Sequence, residues 1–186
     1  MRYVVVISTC AGLFRYILGD VVEFDTVPAG LDGNGGNGPL RMRIVGRHRL
    51  FINAFGENLI VEHIETAVAK AAQTLGVRVG EFTAAPVYPS GQTRAALEIA
   101  VEAEMDPERA RKFRDLVDES IKEQNVDYTT KRSDGVGMTE PRITVLREGA
   151  FHAWLDSRGK LGGQHKCPRC ANHREFIEGV IASNPA

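Results

Sequence analysis

The apolar residues of this chain change their pattern near Arg47, from strands alone to helix and strand together, and that change sets what the chain can fold into. Before it, every apolar segment is strand-like. Tyr3 to Ile7 is a continuous run rich in β-branched residues and reads as a strand buried on both faces. Such a strand wants neighbours and covering helices on each side. None precedes it, so the sequence reads as beginning in the middle of a sheet. Leu13 to Leu18 and Val21 to Phe24 read as a strand pair with Gly19-Asp20 as the turn between them. A glycine-rich stretch follows, from Ala29 to Pro39. It lacks the Gly-Lys-Ser/Thr ending of a phosphate-binding loop and reads as a flexible hairpin loop. Arg41 to Val45 returns as a strand.

After Arg47 the pattern mixes helix and strand. Val61, Ile64, Val68, Ala71 and Leu75 recur at helical spacing, and Gly76 stops that helix. Glu81 to Tyr88 and Arg94 to Glu102 read as strands joined by a Pro89-Ser90-Gly91 turn. Asp106-Pro107-Glu108 is a helix start, with a cap, a proline at the first position and an acid in the first turn. Ala110, Phe113, Leu116, Val117 and Ile121 form its apolar stripe. Glu108 with Lys112, and Arg111 with Asp115, give its solvated face support at four-residue spacing. Arg142 to Leu146 is a further strand. Phe151 to Asp156 and Arg174 to Ala182 are short helices. The fold class is therefore α+β, a small sheet with packed helices, preceded by strands that need partners. The expected division is 1–46 and 47–186.

Composition removes some functions. The net charge is -1, so no global electrostatic case exists for nucleic acid or an anionic membrane. No run approaches the roughly 18 apolar residues that a membrane span needs. The first residues are too short a stretch, and wrongly flanked, for a secretory signal. Three cysteines, an odd number, argue against a disulfide framework and for a reducing, cytoplasmic setting.

Five blocks carry a resemblance. Thr9-Cys10-Ala11-Gly12-Leu13-Phe14-Arg15-Tyr16-Ile17-Leu18-Gly19-Asp20-Val21-Val22 is the first. Leu40 to Arg47, Ile52 to Leu59, and Asn125 to Tyr128 with Lys131-Arg132 follow. Gly163-Gln164-His165-Lys166-Cys167-Pro168-Arg169 closes the series. In this order they resemble the auxin-responsive (Gretchen-Hagen-type) acyl acid amido synthetases, a branch of the adenylate-forming enzymes. The resemblance implies a ligase that uses ATP with Mg2+. A carboxylic acid attacks the α-phosphate to give an acyl-adenylate and pyrophosphate. An amino acid then attacks the acyl carbon, giving an amide and AMP. On this resemblance residues 1–46 are the last strands of an adenylation domain and 47–186 a mobile C-terminal lid domain. The N-terminal adenylation domain is then a missing partner, and the fragment alone is not expected to catalyse the reaction.

The resemblance also implies residue roles. Asp20 would accept two hydrogen bonds from the ribose hydroxyls of ATP, which a carboxylate does side by side, and Gly19 would permit the turn that aims it. Thr9 and Tyr16 join them as nucleotide-binding residues; Tyr16 reads equally as a core aromatic. Cys10 stands where relatives often carry tyrosine and Ile17 where they often carry arginine, and a thiol cannot stack on adenine. Lys166 is the catalytic candidate, its ammonium offsetting charge that builds at the α-phosphate. Arg47 falls at the hinge. Gly56-Glu57 resembles the loop that approaches the active site; it reads equally as a loop preceding a helix, with Glu57 favouring the dipole. Tyr128, Lys131 and Arg132 read as structural packing. Cys167 and Cys170, flanked by His165 and His173, form a Cys-x-x-Cys, but four zinc ligands within nine residues is too cramped for the usual tetrahedral site. No metal site is assigned. The competing class is a non-catalytic binding or regulatory module, with zinc in that loop.

Overall fold

The computed structural model describes residues 2–26, 41–47, 51–91, 94–133, 137–160 and 165–184. The glycine-rich stretch, His48-Arg49 and Gly163-Gln164 lie outside these. The chain divides into two compact units, Met1–Leu50 and Phe51–Ala186.

The first unit is an antiparallel sheet of β1 (Arg2–Ile7), β2 (Tyr16–Thr26) and β3 (Arg41–Arg47), in that order across the sheet. Two expectations change here. β1 is an edge strand, not a strand buried on both faces, and its Val6 is 54% exposed. A continuous apolar run signals burial only where layers cover it, and no helix belongs to the described residues of this unit. Among them, Val22 alone is a buried apolar side chain.

Gly19-Asp20 is also not a turn. β2 runs through it without a break. Val4 pairs with Val21 and Val6 with Ile17, so Leu18, Gly19 and Asp20 stand opposite the single Val5. This is a bulge, and Gly19 holds its backbone at φ +91°, where a Cβ would be strained. The chain reverses earlier instead. Thr9 N–H donates to Leu13 O at 2.8 Å, Gly12 N–H donates to Thr9 O at 3.3 Å, and Gly12 has φ +99°.

The second unit opens with the hairpin β4 (Phe51–Ile52) and β5 (Leu59–Ile60), then α1 (Val61–Leu75). Gly76 ends α1 in the left-handed region, its N–H turned back to Ala72 O and Gln73 O, as a C-terminal glycine does. β6 (Val79–Val87) and β7 (Ala96–Ala103) pair antiparallel, and β7 pairs parallel with β8 (Arg142–Leu146). A parallel neighbour needs a crossover, here made by α2 (Pro107–Gln124) and α3 (Val126–Arg132). The Asp106 carboxylate caps α2 by accepting from Arg109 N–H at 2.8 Å. Glu108 pairs with Lys112 as the spacing expects, while Asp115 pairs with Arg114. α4 (Ala150–Ser157) and α5 (Glu175–Ala182) complete the unit.

Both faces of the β6-β7-β8 sheet are covered. Ala85, Ala100 and Leu146 cluster with Phe151 and Trp154 of α4 and Ile177 and Val180 of α5. The alternate residues Leu97, Ile99 and Val101 are buried on the opposite face, the side left to the mutually packed α1 and α2. Glu98 and Glu102 lie inside on the α4/α5 face. Glu98 accepts from Arg174 at 2.7 Å and from Thr144 at 2.7 Å; Glu102 accepts from the Phe151 N–H at 3.0 Å. The polar half of the β7 alternation is thus a set of partnered carboxylates under two helices, as buried charge requires.

Candidate functional site

The predicted site residues fall into two groups, one in each unit. In the first unit Thr9, Tyr16, Gly19 and Asp20 lie on one reversal and one strand. Thr9 holds the reversal through its backbone. Tyr16 opens β2 and is exposed in its unit. Asp20 is mid-strand and half-buried, with its Cα opposite Arg47 of β3. That corrects the expected place of Asp20 in a turn between two strands. Asp20 adjoins the bulge, where the extra residues redirect neighbouring side chains. A Cβ on Gly19 would meet nothing within 4 Å. Conformation, not crowding, therefore demands glycine there. Arg47 is the last residue of β3.

In the second unit, the Lys166 segment is held as a rail along β6. Thr83 Oγ1 donates to Pro168 O at 2.6 Å. Ala84 N–H donates to Arg169 O at 2.9 Å, and Ala171 N–H returns to Ala84 O at 3.0 Å. Cys170 therefore bridges Ala84 as a strand would. Cys167 and Cys170 are buried on this rail, and burial pushes their thiols up to about 11 and about 12. Reactive cysteines have the opposite character, a lowered pKa in an electropositive, partly exposed place. These two are apolar anchors. Arg169 lies over the Phe82 ring at 4.5 Å and pairs with Glu81 at 3.2 Å. Lys166 precedes the anchors and is exposed. Among the described residues no three His, Cys, Asp or Glu side chains gather as metal ligands.

The Gly56 loop joins the two strands of the β4-β5 hairpin. Glu57 is 1% exposed and points inward, accepting from Ala54 N–H at 3.2 Å and Phe55 N–H at 2.7 Å. Of the two roles weighed for it, the helix dipole is not the one seen: the carboxylate ties its own loop, four residues ahead of α1. Gly56 takes φ +85°. Asn125 Nδ2 donates to Glu57 O at 2.9 Å.

Asn172 connects the two loops, and sequence reasoning misses it. Its Oδ1 accepts from Asn53 N–H at 2.9 Å and its backbone carbonyl accepts from Tyr88 Oη at 2.7 Å. The Tyr88 ring meets Phe55 edge-on at 5.7 Å. An asparagine in a loop carries no periodic signal that could mark it.

Within the block at Asn125–Arg132, Tyr128 and Arg132 are structural. Tyr128 is 0% exposed and donates to Asp118 at 2.8 Å. Arg132 grips both Asp118 oxygens at 2.8 Å, and Lys122 adds a third cationic contact. Burial alone would raise the Asp118 carboxyl; hydrogen bonds from Arg132, Lys122 and Tyr128 outweigh it and hold it below the usual value.

Known proteins match this chain along both units. The GH3 family C-terminal domain matches residues 62–175, and the GH3 family central domain matches residues 1–29. Jasmonoyl--L-amino acid synthetase JAR6 of Nicotiana attenuata is 27% identical over 98% of this chain and 31% of its own length. Indole-3-acetic acid-amido synthetase GH3.3 of Arabidopsis thaliana is 25% identical over 95% of this chain and 30% of its own. The chain thus spans about a third of these relatives. The solved GH3.15 acyl acid amido synthetase superposes with a TM-score of 0.79 at 21% identity, over 100% of this chain and 33% of that one. That likeness is one of fold: α+β, with small sheets and five helices.

Proposed function

This chain belongs to the GH3 family, and from that premise we propose that it is the C-terminal part of an ATP-dependent acyl acid amido synthetase. The reaction is the joining of a carboxylic acid to an amino acid, with release of pyrophosphate and then AMP. One observation carries the reading: an exposed lysine stands at the head of a segment pinned to a sheet by three hydrogen bonds and two buried thiols. A rigid support is what an electrostatic catalyst requires, since a charge held in place costs no reorganisation as the transition state forms.

The Lys166 ammonium then offsets negative charge as the carboxylate oxygen meets the α-phosphorus. The Asp20 carboxylate accepts from the ribose hydroxyls, aimed by the bulge at Gly19. Tyr16 and Thr9 border the nucleotide. Magnesium enters with ATP as part of the substrate, held chiefly by phosphates and water; the described carboxylates of this chain do not converge into a cage for it. Gly56 and Glu57 form a loop tied to the lysine rail through Asn172, and this suits a surface that approaches substrate as a body. The acyl pocket and the triphosphate-binding loop are assigned to the N-terminal two-thirds of such an enzyme.

The test is reconstitution. The chain is mixed with the N-terminal two-thirds of an acyl acid amido synthetase, and ATP, a carboxylic acid and an amino acid are supplied. Amide and AMP in equal amounts are expected, with neither polypeptide active alone. Asp20→Asn should raise KM for ATP more than it lowers kcat. Failure of the pair to form AMP with any acid, while both parts are folded, would contradict the reading.

A further inference from the structure

Lys131 stands on the last turn of α3, beside an arginine that turns the other way, onto Asp118. Its stem runs between two glycines. A Cβ added to Gly137 would lie 3.9 Å from both Cβ and Cδ of Lys131, and one added to Gly56 would lie 3.5 Å from its Cε and 3.6 Å from its Nζ. Met138 N–H donates to Lys131 O at 2.8 Å, which holds the backbone on the Gly137 side. The side chain therefore passes alongside Gly137 and ends beside the backbone at Gly56, and the residue is half-buried.

The carboxylates near that loop are committed elsewhere. Both Glu57 oxygens take the Ala54 and Phe55 amides, and Asp127 accepts from the Asn58 side chain at 3.2 Å. Among the described residues no carboxylate forms an ion pair with Lys131. A lysine usually keeps its head in water and its stem loose. Here the stem lies alongside Gly137 and the head beside Gly56, so the three donors of the ammonium are presented at a loop with no side chain of its own at position 56. The same loop is bonded to the Lys166 rail, through Asn53 N–H to Asn172 Oδ1 at 2.9 Å.

We propose that Lys131 is an oxyanion-binding residue, presenting its ammonium over Gly56 to a phosphate or carboxylate group of a substrate. This deepens the synthetase reading and rests on it. It adds a second cation, on a different element from Lys166 and with a different role. Lys131 holds an anion in place, where Lys166 eases the adenylation step.

Titration calorimetry of the 186-residue chain at constant ionic strength tests this, with inorganic pyrophosphate as one probe and glycine as the other. Lys131→Met should weaken the binding of one probe by about tenfold or more, and Lys131→Arg should keep most of it. Loss confined to pyrophosphate assigns the site to a phosphate group; loss confined to glycine assigns it to the amino-acid carboxylate. Lys112→Gln removes an equal charge from the far, solvated face of α2, paired with Glu108, and should change neither. Equal affinities in wild type and Lys131→Met, or no binding of either probe, would overturn the proposal. Failure of the synthetase reading shows separately, as no AMP from the reconstituted pair with any acid while both parts are folded, whatever Lys131→Met does to probe binding.

Discussion

The two units each contain a three-stranded sheet, yet one sheet is nearly bare and the other is a core. In the first unit Tyr3, Val4, Val6, Met42 and Ile44 are exposed and Val22 is the one buried apolar residue described. In the second, Leu97, Ile99, Ala100 and Val101 are at or near zero exposure, because helices lie on both faces. Both sets of strands are rich in apolar residues; coverage is what differs. A strand contributes to stability in proportion to the apolar area that another layer removes from water, so the second unit should hold most of this chain's stability.

That contrast can be broken by substitution. The largest effects should fall in the second unit. Asp118→Ala leaves Arg132 and Lys122 facing an empty acceptor under a buried Tyr128 and should cost about 3–5 kcal/mol, read as a lowered urea midpoint. Ile99→Ala should cost about 2–5 kcal/mol. Gly179→Ala comes next. The added Cβ would run into the Trp154 indole nitrogen, and overpacking of this kind costs about 1–3 kcal/mol. The mirror substitution in the first unit, Ile44→Ala, should stay within about 0.5 kcal/mol. A loss there comparable to Ile99→Ala would mean that the first sheet is covered in solution and that the contrast does not hold.

Acid sharpens the same comparison. The Asp118 carboxyl titrates lower in the folded chain than in the unfolded one. Its contribution is therefore complete above the unfolded value, about 3.9, and is lost as pH falls through the lowered folded value. Near-ultraviolet signal from Trp154 and Tyr128 should persist to about pH 4 and fall below it, and Asp118→Asn should flatten that dependence.

Hydrogen exchange should show the smallest but most direct difference. Amides of β1 to β3 should exchange well before those of β6 to β8, as expected where few apolar contacts cover the hydrogen bonds.

How far the sequence can be read follows the same line. The helices α1 and α2, with their caps at Gly76 and Asp106, are legible because caps and apolar periodicity are local. So are β6 and β7. Burial is not legible for Tyr3 to Ile7, since it depends on a layer that a strand's own residues do not specify. The bulge at Gly19 passes for a turn because both use glycine at positive φ, and only the partner strand tells them apart. Lys166 is singled out only through resemblance. The rail beneath it is not legible, because its bonds to Thr83 and Ala84 span more than 80 residues. The inward turn of Glu57 and the path of Lys131 between Gly56 and Gly137 are likewise tertiary facts, invisible to spacing.

The central claim is that the pinned rail exists to hold Lys166 for adenylation. ATP–pyrophosphate exchange in the reconstituted enzyme, wild type against Lys166→Ala, tests it most directly. The predicted result is a fall of about 10²–10³ in exchange rate, with the urea midpoint unmoved because the side chain is exposed. Exchange at the wild-type rate would contradict it, and would leave the rail as an edge of the sheet with no part in the chemistry.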